Sequence, residues 1–278
     1  KRMSTVAQTL ICMYFVYTYY RDDEDSRRLL DCVMWAGYIV AIYAIYYYGL
    51  DTIRSLIAAG DRIDNEFTNV NAIGMMAAYS LIITFSKIIN KHFSISLIFS
   101  VPALLMVIAS GSRKAFIILL FGIFFVYMTR SIGQSTKPAE TILKFVLVCI
   151  VGVLAVMAIW SIPAFRPVTE RLLQTLNQFT GQGRVDESTM RRAWFIEIGL
   201  EQFFKTPIQG IGIGNSLFII GRDTYLHNNY IEILACGGIL GIVTFYSSYL
   251  CCFKRLMSGM KKYDEITVLC VTFFILQL

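Results

Sequence analysis

Leu226-His227-Asn228-Asn229-Tyr230-Ile231-Glu232 closes a polar segment and opens an apolar run that continues to position 253. Upstream stand Met190-Arg191-Arg192-Ala193-Trp194 and Thr206-Pro207-Ile208-Gln209-Gly210-Ile211-Gly212-Ile213-Gly214-Asn215. A helix needs about 17–25 apolar residues to cross a bilayer, and the run after His227 supplies them. The polar segment before it must then sit where water meets membrane. This reading decides the fold class: an all-α, polytopic membrane helix bundle with a long external loop, and an amphipathic helix within that loop.

The rest of the chain agrees. Of 278 residues 56% are hydrophobic and 14% aromatic, and the mean hydropathy is +0.60. An ordinary soluble domain is excluded. Further candidate spans lie at 4–20, 29–50, 72–89, 93–110, 114–128, 141–162 and 266–278. The chain starts without Met and stops inside an apolar run, so it reads as one membrane domain and a piece of a longer protein. The seven cysteines lie mostly in apolar runs without CxxC or Cys/His spacing. They are packing residues, and neither a disulfide frame nor a metal site is expected.

Lys/Arg bias in the short loops orients the spans. Lys254, Arg255, Lys261 and Lys262 mark the cytoplasmic side, and alternation adds Arg130, Lys137, Lys87, Lys91 and the loop 21–28. The net charge of +6 belongs to these loops and not to nucleic-acid binding. The loop 51–71, the Gly111-Ser112-Arg113 turn and the segment 163–226 fall outside. The candidate site is therefore expected on the external face.

Within the external segment, residues 188–204 alternate Trp194, Phe195, Ile198, Leu200 and Phe203 with Arg191, Arg192, Glu197 and Glu201 at helical spacing. Thr206-Pro207 ends that helix, which is expected to lie on the membrane surface. Gly210-x-Gly212-x-Gly214 is not a dinucleotide-binding fingerprint, and no strand precedes it. It reads as a tight backbone turn folding the loop back.

Several residues have the right chemistry for a site, and each also has a plainer explanation. Arg113 follows Ser110-Gly111-Ser112, so small residues would let an anion approach a guanidinium fork; the plainer reading is a snorkelling interface arginine. Arg191 and Arg192 are either a solvated helix face or an anion contact, and Arg184, near Gly181 and Gly183, is a third candidate. A lone His is more often structural, but His227 comes with Asn228 and Asn229 at a membrane boundary, where polar groups default to function. Its imidazole could accept a proton from a hydroxyl, and Glu232, one turn beyond Asn228, could orient it or pack by hydrogen bond. His92 falls on the cytoplasmic side and is read as structural. Asp22-Asp23-Glu24-Asp25 superficially suggests a metal site and reads instead as a solvated charge run.

Taken together these residues resemble the O-antigen polymerase/ligase superfamily of bacterial polysaccharide assembly, the Wzy- and WaaL-type proteins. The resemblance rests on Arg192, Pro207, Gly210-Ile211-Gly212, His227-Asn228-Asn229-Tyr230-Ile231-Glu232 and Gly237-Gly238-Ile239-Leu240-Gly241, with Ser110-Gly111-Ser112-Arg113 upstream. It covers roughly 105–250. The family's loop arginine falls on Arg191 or Arg192, and the spacing to Pro207 favours Arg192. The resemblance implies a protein of the bacterial cytoplasmic (inner) membrane and glycosyl transfer on its external, periplasmic face, without nucleotide sugar, metal or other cofactor. The donor would be an oligosaccharide on undecaprenyl diphosphate, and the acceptor a hydroxyl. It gives Arg113 and Arg192 the diphosphate and His227 the role of base or acceptor-orienting group, with Arg191, Arg184, Asn228, Asn229 and Glu232 as substrate contacts. A cationic clamp suits a diphosphate leaving group, whereas glycoside hydrolysis would need paired carboxylates. Repeat-unit polymerase of a capsule or similar surface polysaccharide comes first, because a composition rich in Ile, Tyr and Lys points to a low-GC bacterium. Ligase to lipid A core or another acceptor is the alternative, and a transporter is the competing class. Partners would be the lipid-linked saccharide, the bilayer, and a flippase and chain-length regulator.

Overall fold

The computed structural model describes residues 23–59, 61–64, 68–90, 95–134, 187–220, 225–259 and 264–277, with scattered positions between 11 and 18 and between 140 and 173. The expected spans at 4–20 and 141–162 fall largely outside the described residues. Every regular element among the described residues is helical. Among the described residues four helices are long and apolar enough to cross a membrane: Glu24–Tyr48, Val70–Ile89, Arg113–Ser131 and Asn229–Gly259. The chain is an all-α polytopic membrane protein. It divides into two compact units, Lys1–Leu173 with Gly259–Leu278, and Gln174–Ser258.

The first unit holds α1 (Asp23–Tyr48), α2 (Leu50–Ala59), α3 (Val70–Ile89), α4 (Ser96–Ala109), α5 (Arg113–Gln134) and, from the chain end, α9 (Glu265–Gln277). Acidic residues open α1, where they favour the helix dipole, and Arg28 pairs with Glu24 and Asp25 in its first turns. Gly49, at φ 79°, ends it in the left-handed conformation that glycine adopts without strain. The helix therefore begins before the expected span at 29 and absorbs Arg27 and Arg28, which the sequence placed in a loop. The loop expected at 51–71 contains α2.

Helices in lipid gain nothing from burying apolar surface against one another, so close approach and interhelical hydrogen bonds must hold them. Tyr38, fully buried, does both: its hydroxyl bonds Thr84 Oγ1 on α3 and lies 3.2 Å from Ser100 Oγ on α4. Ser80 Oγ donates to the Met34 carbonyl at 2.8 Å. The contact is possible because Gly37 presents no side chain; a Cβ there would overlap Ser80 Oγ and the Met76 carbonyl. At one end of this unit Lys87 pairs with Asp31, and Ser86 donates to Glu265. The starts of α1 and α9 and the end of α3 thus meet, as the alternation of spans requires.

The second unit contains α6 (Glu187–Lys205), α7 (Ser216–Ile220) and α8 (Asn229–Gly259). The amphipathic helix expected at 188–204 is α6. Its buried face is Phe195 and Gly199, and a Cβ on Gly199 would overlap Ile231 of α8. After Pro207 the chain turns back through Gly210 (φ 65°) and Gly212 (φ 96°). The turn docks on α8, which is not one continuous helix. It breaks at Gly238 (φ 59°, ψ −156°), a conformation essentially closed to other residues. The break frees carbonyls at Ala235 and Cys236 and amides at Ile239 and Leu240. Ile211 N and Gly212 N donate to Ala235 O and Cys236 O at 3.0 and 2.9 Å, and Ile239 N and Leu240 N donate to Pro207 O and Ile208 O at 2.9 and 3.1 Å. The Gly-rich turn therefore completes the broken span, which the sequence reading of a tight fold-back did not specify.

Gly237 and Gly238 look alike in sequence and differ in the structure. A Cβ on Gly237 meets open space, whereas one on Gly238 would overlap the Ile208 and Pro207 carbonyls. Gly238→Ala is expected to cost about 2 kcal/mol or more, and Gly237→Ala to be neutral or slightly stabilising. Thermal unfolding of the purified variants in one detergent checks the contrast.

Candidate functional site

The polar residues of the second unit gather at the start of α8. The helix begins at Asn229 rather than at His227, because Asn228 caps it: its Oδ1 accepts from the amides of Tyr230 and Ile231 at 3.0 and 3.2 Å. His227 precedes the cap in the left-handed region, φ 56°, and is the one described residue other than glycine with positive φ. A side chain held there needs support. Glu232 gives it. One carboxylate oxygen accepts from Leu226 N at 3.0 Å, and the other from Ser216 Oγ, with Cys236 Sγ 3.8 Å away. The carboxylate ties the residue before His227 to the first turn of α8, where the helix dipole favours negative charge. Glu232 therefore sets the backbone that presents His227.

The imidazole lies against aromatic rings. Phe195 of α6 stacks on it with centroids 5.4 Å apart and planes at 29°, and the Tyr225 centroid is 4.3 Å away. Phe195 is buried beside Leu226 and Ile231, whereas His227 and Tyr225 stay exposed. The result is a solvent-reachable imidazole fixed by apolar contacts, suited to exchanging a proton with a bound hydroxyl.

Arg191 and Arg192 lie one turn before Phe195 on α6, and both are exposed. At about 100° per residue the centre of the Phe195–Gly199 face falls between them, about 40° from Arg192 and about 60° from Arg191. Helix geometry puts both beside the face that carries His227's stacking partner. Asn229 is an exposed first-turn residue of α8, and Arg184 lies outside the described residues.

Arg113 belongs to the first unit, as the first residue of α5. Ser110, Gly111 and Ser112 form a buried turn. Ser110 Oγ donates to the Val107 carbonyl at 2.8 Å, Gly111 has φ 54°, and Ser112 Oγ accepts from Ala115 N at 3.3 Å. Gly74 of α3 has no side chain where Ser110 Oγ packs. Small residues thus seat the turn in the fold and put Arg113, partly buried, at a helix N-terminus, a place that favours anions.

Sequence reasoning missed Ser216, Phe195 and Tyr225 as supports of His227. Asn215-Ser216 before the apolar Leu217–Ile220 run is a helix-start signal that would have located α7. No feature of the sequence pairs Ser216 with Glu232. Asp25 and Glu24 of the acidic run bond Arg28, and no group of metal-ligating side chains occurs among the described residues.

These helices and the polar cap at the start of α8 define a multi-pass membrane protein with a candidate enzymatic site in its polar segment. A family model described as O-antigen ligase matches residues 98–246, and the chain belongs to that family. It is a member of the O-antigen ligase/polymerase superfamily, a class of membrane glycosyltransferase-type enzymes acting on lipid-linked glycans. No curated protein and no solved structure matches the chain.

Removing the Glu232 carboxylate leaves Leu226 N and Ser216 Oγ without their acceptor. Glu232→Ala is expected to lower stability by about 1–3 kcal/mol, and Ser216→Ala by about 1 kcal/mol. The double variant should unfold close to Glu232→Ala alone, because the serine acts through the carboxylate. Chemical unfolding of the four proteins measures the coupling; fully additive losses would contradict it.

Proposed function

We propose that the chain polymerises undecaprenyl-diphosphate-linked oligosaccharide repeat units into a capsular or O-antigen-type surface polysaccharide on the external face of the cytoplasmic membrane. The observation that carries this reading is His227: exposed, ring-stacked, and in a left-handed backbone whose preceding residue is tied to the Glu232 carboxylate. In the reaction the acceptor hydroxyl oxygen attacks the anomeric carbon of the donor sugar. The bond from that carbon to the diphosphate oxygen breaks, and the hydroxyl proton passes to the His227 imidazole. The diphosphate leaves as an anion and needs cations more than a proton, which suits the guanidinium of Arg192, with Arg191 beside it. Arg113, at a helix N-terminus, carries the same chemistry, and its assignment to the diphosphate comes from the family motif. Asn228 is committed to its cap, so its part is structural support, while exposed Asn229 is the better substrate contact. Arg184 keeps its candidacy from the motif alone. The step uses no metal and no nucleotide sugar, and a flippase and a chain-length regulator would be the working partners.

Ligase activity, handing a finished glycan to lipid A core or another acceptor, is the second reading, favoured by the description of the family that matches. Both readings use the same bond changes and differ in the acceptor.

The test expresses the full-length parent in a strain lacking it, beside His227→Ala, Arg192→Ala and Arg113→Ala at matched protein levels, and separates the lipid-linked saccharides on a gel. The parent should give a ladder. Each variant should accumulate single repeat units, with His227→Ala slower by about a hundredfold or more. Long chains in every strain that fail to reach a final acceptor in the variants would replace polymerase by ligase. Variants that behave as the parent would overturn the site, and a transporter would then be the better reading.

A further inference from the structure

The first unit contains a cavity of about 230 Å³ lined by Arg27, Asp31, Lys87 and Glu265, with Ile83 and Leu269 among its apolar wall. It lies where the starts of α1 and α9 meet the end of α3, and the glycosyl transfer proposed above makes no use of it. It is smaller than a drug-sized pocket of about 300–1,000 Å³.

Its charges are arranged unevenly. Lys87 and Asp31 pair, and their side chains are 20% and 41% exposed, so each neutralises the other. Glu265 is half-buried, and the hydrogen bond it receives from Ser86 Oγ is long, at 3.4 Å. No cation pairs with Glu265 among the described residues, and Arg27, on the exposed side, has no acidic partner among them. Among the described residues the cavity therefore offers one open guanidinium and one open carboxylate beside an aliphatic wall. Glu265 opens α9, where the helix dipole favours its charge, and a ligand that supplies a cation adds a direct counter-charge to this half-buried carboxylate.

We propose that this cavity binds the headgroup of a phosphoethanolamine-type phospholipid. The phosphate is held by Arg27, whose fork matches its oxygens. The primary ammonium donates to Glu265, and the acyl chains run along Leu30 and Ile266, the partly exposed apolar residues of the lining. Each part discriminates. A choline headgroup has no N–H to donate. A phosphoglycerol headgroup brings no cation to Glu265. A water-soluble phosphate leaves the aliphatic wall unfilled.

The experiment takes the full-length protein, purified and delipidated in detergent. It adds phosphatidylethanolamine, phosphatidylcholine, phosphatidylglycerol or soluble glycerophosphoethanolamine, all lipids with the same acyl chains. Thermal unfolding and native mass spectrometry read stabilisation and bound lipid. The ethanolamine lipid is expected to raise Tm by several degrees and to be retained at one copy per chain, with the other three giving markedly less. Arg27→Ala and Glu265→Gln should each weaken that binding by about tenfold or more, a loss of about 1.4 kcal/mol. Arg28→Ala, which breaks only exposed pairs on α1, should leave it unchanged. Arg27 is unpaired among the described residues, so its variant tests the site even if Glu265→Gln fails to fold. Equal effects of all lipids, a preference for phosphatidylglycerol, full stabilisation by the soluble headgroup, or binding unchanged in Arg27→Ala would each overturn the proposal.

Discussion

A helix broken within an apolar span leaves amides and carbonyls without their helical partners, and away from water each costs several kcal/mol unless another group takes it. The break in α8 at Gly238 meets this constraint with backbone from the 207–212 turn, through Ile211, Gly212, Pro207 and Ile208. The remaining features of the second unit follow from that junction. Pro207 ends α6 where the turn must begin, and Gly210 must lack a side chain because Cys236 and Gly237 backbone lies against it. The turn leads into α7, which carries Ser216 to Glu232. Glu232 in turn fixes the residue before His227. The histidine is thus positioned by a chain of contacts that begins with the glycine at the break in α8.

Local signals made much of this readable from the sequence. The period of α6 and its stop at Thr206-Pro207 were plain, and the apolar run after His227 had the length of a span. The turn was recognisable from its glycines. What it docks on was not, because backbone pairing between distant segments leaves no trace in side-chain pattern. Gly237 and Gly238 are interchangeable as letters, and only the φ of Gly238 and the carbonyls beside it tell them apart. The start of α8 moved from His227 to Asn229 for a similar reason: the Asn228 side chain competes for the first amides, and hydropathy cannot register that.

In the first unit the sequence located Arg113 but not the reason its turn is firm. Ser110, Gly111 and Ser112 are small because the turn is buried against α3 at Gly74, and Ser112 supplies the cap of α5. The same use of small residues brings α1 against α3 at Gly37. Both are what lipid demands of packed helices, where shape complementarity replaces the hydrophobic effect. Lys87 and Asp31 fall inside the expected spans 72–89 and 29–50, and nothing in the sequence pairs them. Arg27 joins them because α1 starts earlier than hydropathy alone indicates.

Amide hydrogen exchange at Ile211, Gly212, Ile239 and Leu240, in the full-length protein reconstituted into lipid nanodiscs, tests the junction most directly. If the turn completes the broken helix, these four amides exchange orders of magnitude more slowly than free peptide, and Gly238→Ala speeds all four together. Exchange of Ile211 and Gly212 at the rate of an unstructured loop, with Ile239 and Leu240 still protected, would contradict the account.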